Sequence, residues 1–166
     1  MNRILSLIVC TLFSFAAYAQ SFQIGFFSYD KALKSMPDYA IVQETVANLR
    51  TQYDAELQAA QQEFTEKYEL FLEQQSKMAT AIREKRQSEL QLLMERNVAF
   101  RAASERLLQK AEEEGLQPLR EKLDSAIQAI GSEGYIVILN TDSNACPYLN
   151  PAFTTDINAL VQEKLK

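Results

Sequence analysis

Residues able to do chemistry are few in this chain, and their surroundings say as much as their types. Two acids, Asp142 and Asp156, stand toward the C-terminal end, and Glu112-Glu113-Glu114 form a run upstream of them. Paired carboxylates can divide general acid and general base work between them, as in a hydrolase. No nucleophile with an adjacent base accompanies these, and a carboxylate run at helical spacing is ordinarily a solvated face. The sequence contains 0 His, so the commonest metal ligand and the usual base near neutral pH are both missing. Ser-His-Asp, Cys-His, His-zinc and haem-His chemistries are excluded with it. The 4 Gly form no phosphate-cradling loop. No catalytic residue, cofactor or metal is therefore expected, and the protein is not expected to be an enzyme. With 17 Lys+Arg against 22 Asp+Glu, a net of -5, it also lacks the basic balance of a general nucleic-acid binder.

The beginning of the chain reads as an export signal. Asn2-Arg3 supply a positive start, Ile4 to Ala17 an apolar run, and Ala17-Tyr18-Ala19 the small-x-small cleavage pattern, giving a leader over 1–19 cut before Gln20. The run is shorter than the roughly 20 apolar residues of a spanning helix. Leu7-Ile8-Val9 before Cys10 are too bulky for a lipoprotein box. The product is expected to be secreted and soluble, with a net charge of -6 and one cysteine, Cys146. The neighbours Pro147 and Tyr148 favour burial of that cysteine over an intermolecular disulfide.

Positioning any binding residue falls to long helices. Asp38 to Glu114 is a stretch of 77 residues without Gly or Pro, 43 of them Ala, Glu, Lys, Leu or Arg. Pro37-Asp38 reads as the start, with Asp38 suited to the cap. Val46, Leu49, Tyr53, Leu57, Ala60, Phe64, Tyr68 and Phe71 recur at steps of 3, 4, 4, 3, 4, 4 and 3. The stripe repeats every 11 residues, a period for straight or slightly right-handed winding. One helix of the full length would be too long for so small a protein, so a fold-back is expected near 76–82, with Thr80 as cap of the second arm. That arm carries Leu90, Leu93, Met94, Val98, Phe100, Leu107, Leu108 and Ala111, then Leu116, Leu119, Leu123, Ile127 and Ile130. Pro118 should kink it, because it lacks an N–H and crowds the preceding turn.

The ends differ in kind. Ile24 to Tyr29 and Tyr135 to Leu139 read as strands, apolar on successive residues as if buried on both faces. Ala145 to Leu149 is a candidate third strand, with Asn140 to Asn144 a turn between paired strands. Thr154-Thr155-Asp156 would cap a last helix, Ile157 to Leu165. The expected organisation is a small β head from 20–37 and 131–166, and a helical hairpin over 38–130. So small a head buries little, and its open edges call for a partner.

This layout resembles the Skp/OmpH family of periplasmic chaperones. The residues that carry the resemblance are Ile24-Gly25-Phe26-Phe27-Ser28-Tyr29 with Met36-Pro37-Asp38-Tyr39. The tail adds Gly134 to Asn140, Pro147-Tyr148-Leu149-Asn150, and Asp156-Ile157-Asn158-Ala159-Leu160-Val161. Asn158 stands where the family's pattern has Thr. The resemblance implies an α+β, mostly α fold: a long antiparallel helical hairpin projecting as a tentacle from a three-stranded β head. It implies a homotrimer, with hairpins around a cavity that holds unfolded outer-membrane proteins in the periplasm without ATP. The alternative is a structural coiled-coil scaffold of the cell envelope that ignores unfolded chains.

Well-known members of the family are basic, whereas this chain is acidic. Its positive charge gathers at the expected tip, where Lys77, Arg83, Lys85 and Arg86 face one acid, Glu84, between Ser76 and Arg86. Those four are candidates for contact with anionic lipid or lipopolysaccharide. Leu70 and Leu92, about 100° off the main stripes, and Phe100 are candidates for client contact. Ile24, Phe26, Ile136, Ile138 and Tyr148 are candidates for an oligomer core.

Overall fold

The computed structural model describes residues 23–166; the leader and Cys10 lie outside them. Three strands and two short helices flank a pair of long helices, in the order β1 (Gln23–Phe27), α1 (Tyr29–Lys34), α2 (Pro37–Gln74), α3 (Thr80–Gly131), β2 (Tyr135–Asn140), β3 (Thr154–Asp156) and α4 (Asn158–Lys164). The fold is α+β, mostly α. It divides into two compact units, one of residues 36–121 and one of residues 23–35 with 122–166.

The first unit is an antiparallel hairpin of α2 and α3. Pro37 occupies the first helical position after Met36, an extended residue with no side-chain cap. The expected cap, Asp38, instead sits in the first turn, where its charge suits the positive end of the helix dipole. The arms part at a single 3-10 turn, Gln75–Lys77. The carbonyl of Ala79 takes the N–H groups of Ile82 and Arg83, so Ala79 holds the cap position expected of Thr80. Cross-arm partners run in opposite order along the two helices. Gln43 Nε2 donates to Glu112 Oε1 at 3.2 Å, Arg50 Nη1 to Glu105 Oε1 at 3.2 Å, and Asn97 Nδ2 to the Ala60 carbonyl at 3.1 Å. α3 runs through Pro118 as continuous helix.

The seam is thinly covered. Most of the eight-residue stripe on α2 is only half-buried, and in this unit full burial is confined to Met36, Phe71, Ser104, Leu108, Leu116 and Leu119. A residue in a two-helix seam meets one neighbouring helix, whereas a bundle would supply two. On α3, Met94, Val98 and Leu107 leave the expected stripe altogether and face solvent.

The second unit corrects the strand reading. Its sheet has the order β2-β1-β3, and both outer strands run parallel to β1. Residues 145–149 form no strand, and β2 and β3 are not neighbours. The segment 141–153 crosses from one edge of the sheet to the other, helped by left-handed backbone at Ser143 (φ 54°) and Asn144 (φ 57°). The third strand is Thr154–Asp156, whose β-branched pair Thr154-Thr155 suits extended backbone. Cys146 is half-buried, its Sγ 3.6 Å from the Asn140 carbonyl. Its aromatic neighbour Tyr148 points away into solvent, which removes the apolar cover expected for the thiol.

The core of this unit is Phe27, Ala32, Leu33, Leu123, Ala126, Ile130, Ile157, Val161 and Leu165. It occupies one face of the sheet only. Gly25 lies on that face, with Tyr135 and Ile157 3.1–3.2 Å from where a Cβ would stand. Ile24 and Phe26 alternate to the other face and are half-buried, with Val137 beside Ile24 exposed. The strands are thus greasy on both sides, and among the described residues helices pack on one face and leave the other half-covered.

A polar clasp joins three segments of this unit. Ser28 Oγ donates to Asp142 Oδ1 at 2.6 Å and accepts the Lys31 N–H at 3.1 Å, capping α1. The Asp30 N–H donates to Asp142 Oδ2 at 2.9 Å, and the Ser28 N–H to Asn158 Oδ1 at 3.0 Å. The Ser28 hydroxyl and the Asp30 N–H hold the Asp142 carboxyl below the usual aspartate range. A carboxyl lowered on folding stabilises the native state above its unfolded pKa, and that contribution is lost as pH falls through the lower folded value. Asp142→Asn is expected to cost about 1–2 kcal/mol at neutral pH. The gap between the two proteins should close on acidification below about pH 4; denaturant melts across pH check both statements.

Candidate functional site

The residues expected to touch partners fall into three places. Leu70 on α2 and Leu92 on α3 are 52% and 58% exposed and meet in one crevice, of about 680 Å³, toward the turn of the hairpin. Its floor is Phe71, the one fully buried member of the α2 stripe, with Leu90 and Leu93 from the opposite arm. Met78, at the turn itself, and Ile82, on the first turn of α3, close its outer end. Antiparallel pairing brings the two stretches together, with Leu92 farther from the turn along its arm than Leu70 along the other, so the two line one crevice without standing directly opposite each other.

The rim is charged, and two of its three cations are paired with acids on the same rim. Lys67 Nζ bonds Glu63 Oε1, one helical turn away, and this bond holds the Glu63 carboxyl below its ordinary range, with Arg96 a smaller contributor. Arg86 Nη1 lies 2.9 Å from Glu89 Oε2, and Lys85 Nζ 3.8 Å from Glu89 Oε1. Two of the four expected tip cations are thus engaged by a single acid beyond the segment read as positive. Of the others, Lys77 lies exposed in the 3-10 turn and Arg83 is half-buried on α3.

Phe100 is elsewhere. Its ring stands edge-to-face with Tyr53 across the seam, centroids 6.2 Å apart and planes at 81°, a favoured aromatic geometry. Residues unforeseen on this unit are Met78, Ile82 and Arg96 in the crevice, and the exposed Leu72, Met94 and Val98 outside it. Angular position on the helix would have flagged the last three. Only the cross-arm register shows which side chains share a crevice.

The expected oligomer core is scattered. Ile24 and Phe26 lie on the half-covered sheet face. Ile136, 59% exposed, sits at the irregularity where Gln23 pairs with Tyr135 but Ile24 with Val137. Tyr148 is 77% exposed on the crossing segment, with Phe153 also exposed. Ile138 instead turns to its own chain, its Cδ1 3.8 Å from where a Gly131 Cβ would stand at the end of α3.

The acids read as potential catalysts have structural work. Asp142 holds the clasp, and Asp156 Oδ1 accepts both the N–H of Asn158 and its side-chain amide at the start of α4. Among the described residues no group of three or more His, Cys, Asp or Glu could hold a metal ion. No helix among them is long and apolar enough to cross a membrane.

A long helical hairpin with an accessible apolar flank, joined in one chain to a small parallel sheet covered on one face, defines a coiled-coil protein of α+β class. The chain belongs to the OmpH-like outer membrane protein family, whose sequence model matches residues 23–165. A crystal structure from Caulobacter crescentus CB15, described as that of an outer membrane chaperone (OmpH-like), shares the fold with TM-score 0.70 at 19% identity, over 87% of this chain and 83% of that one. No curated protein matches the sequence.

Proposed function

We propose that this protein is a periplasmic, ATP-independent holdase that keeps unfolded outer-membrane proteins from aggregating, working as a homotrimer. The observation that carries the reading is the crevice at the hairpin turn, where Leu70 and Leu92 stay exposed over a floor of apolar side chains. An unfolded β-barrel strand alternates apolar and polar residues and aggregates in water. An accessible apolar flank on a soluble support offers such a strand weak, reversible contacts. Membership of the OmpH-like family and the chaperone description of the Caulobacter crescentus relative support the same reading.

Self-association follows from the sheet in this reading. Parallel sheets are ordinarily covered on both faces, and here, among the described residues, Ile24 and Phe26 are only half-buried and Val137 is exposed. Other copies of the head supply the remaining cover, so the unit of residues 23–35 and 122–166 is the assembly body and the hairpin is the client-binding arm. Contact of Lys77, Arg83, Lys85 and Arg86 with anionic headgroups is a lesser part of the proposal, since Glu89 already engages Lys85 and Arg86.

The test is dilution of a urea-unfolded outer-membrane barrel into buffer, followed by light scattering. Suppression at near-equal ratios of assembled protein to barrel, without nucleotide, is the expected result. Unchanged scattering in the presence of well-folded protein would sink the holdase reading and bring forward an envelope scaffold that ignores unfolded chains.

A further inference from the structure

Resting on the holdase reading, we infer that the crevice between Leu70 and Leu92 is a receptor for aromatic side chains of an extended, unfolded polypeptide. Charge complementarity decides first between candidate occupants. Two of the three rim cations are matched on the rim itself, Lys67 by Glu63 and Arg86 by Glu89, and the third, Arg96, adds to the field that lowers the Glu63 carboxyl. An anionic headgroup is left one rim guanidinium, Arg96, outside those pairs and gains nothing from the apolar floor, whereas an uncharged side chain leaves the pairs intact and covers that floor. A crevice of about 680 Å³ lies within the size range that holds a whole small ligand, so it has volume enough for a large ring.

The lining then selects among uncharged side chains. Phe71 forms part of the floor, Met78 one end, and the guanidinium groups of Arg86 and Arg96 stand at the rim. A thioether and an aromatic edge both favour contact with a ring. A guanidinium over a ring face adds a cation–π attraction that an aliphatic side chain does not receive. The crevice therefore holds Trp, Tyr or Phe more tightly than Leu or Val. Barrel strands carry their aromatic residues in girdles at both membrane interfaces, so this receptor would grip an unfolded barrel at recurrent points whatever its net charge. That is a mode of capture suited to a chain whose own net charge is -5.

The protein has 0 Trp, so indole emission comes from the peptide alone and its blue shift reports binding. The probe is a short soluble peptide of alternating polar and apolar residues with two tryptophans, titrated against the purified protein. A saturable blue shift is expected, and the same peptide with leucine for tryptophan should compete about five-fold less well. Leu70→Asn and Leu92→Asn should each weaken binding about ten-fold, while Val98→Asn, outside the crevice, leaves it unchanged. All three positions are exposed, so the fold survives, with circular dichroism as the check. Equal competition by the leucine peptide would overturn the aromatic assignment, and so would displacement by vesicles of anionic phospholipid. The light-scattering assay on the same preparations separates the two levels. Suppression of barrel aggregation that is indifferent to Leu70→Asn and Leu92→Asn overturns the receptor and leaves the holdase; absence of suppression in the unmutated protein removes both.

Discussion

Replacing Leu123 by alanine is expected to cost about 3–5 kcal/mol, enough to unfold the small sheet unit near physiological temperature. Leu123 is 0% exposed and belongs to a core of nine apolar side chains in which Ile130, Ile157 and Val161 are also essentially sealed from water. Removing its isobutyl group forfeits the transfer free energy of the lost carbons and leaves a cavity. Neighbours on a three-stranded sheet of short strands have little freedom to fill it. A unit of this size has few other apolar contacts in reserve. Ile130→Val, one methylene smaller, should cost about 1 kcal/mol at an equally buried position. Thermal and urea melts read both values. If self-association runs through this unit, Leu123→Ala should also lower the sedimenting mass at equal concentration. A Leu123→Ala protein that melts within experimental error of the parent would show that the core described above does not hold the unit together.

The second large effect is at Gly115, where α3 passes close to Val42 of α2. A Cβ added there would stand 2.7 Å from Val42 Cγ1 and 3.2 Å from Cγ2, closer than side chains approach one another. Val42 is β-branched with a stiff χ1 on a helix, so it cannot swing aside. Gly115→Val should therefore force the arms apart at this level and cost about 2–3 kcal/mol. Gly115→Ala sets two opposed effects against each other. Alanine favours helix over glycine by about 1 kcal/mol, and the clash offsets that gain. In a Val42→Ala background the clash disappears and Gly115→Ala should become stabilising. This change of sign between backgrounds is what a double-mutant cycle detects. The same effect of Gly115→Ala in both backgrounds would mean that the close approach does not constrain the hairpin.

The hairpin was legible in the residues because helices are specified locally. Absence of Gly and Pro from Asp38 to Glu114, apolar residues at steps of three and four, and Gly131 and Gly134 beyond the returning arm all act within a few turns of chain. Strand composition at Ile24 to Phe27 and Tyr135 to Leu139 was legible for the same reason. Which strand neighbours which was not. Thr154–Asp156 carries no apolar residue, and it is a strand because the edge of β1 offers Gly25 and its neighbours as pairing partners. Ala145 to Leu149 is more apolar but is carried past that edge by the turn at Ser143 and Asn144.

The candidate site divides along the same line. That Leu70 and Leu92 lie off the main stripes follows from angular position on each helix, which the sequence determines alone. That they share a crevice with Phe71 and Met78, whereas Phe100 turns to Tyr53, depends on the sliding register of one arm against the other. That register is settled by contacts between residues tens of positions apart, such as Gly115 on Val42 and Asn97 on the Ala60 carbonyl. Local periodicity is nearly unchanged when one helix slides past another by a turn, so it specifies the arms and not their alignment. Likewise, apolar residues on both faces of β1 and β2 were written in the sequence. Only the packed chain decides that, among the described residues, one face receives helices and the other is left half-covered, because coverage depends on which elements the fold brings against each face.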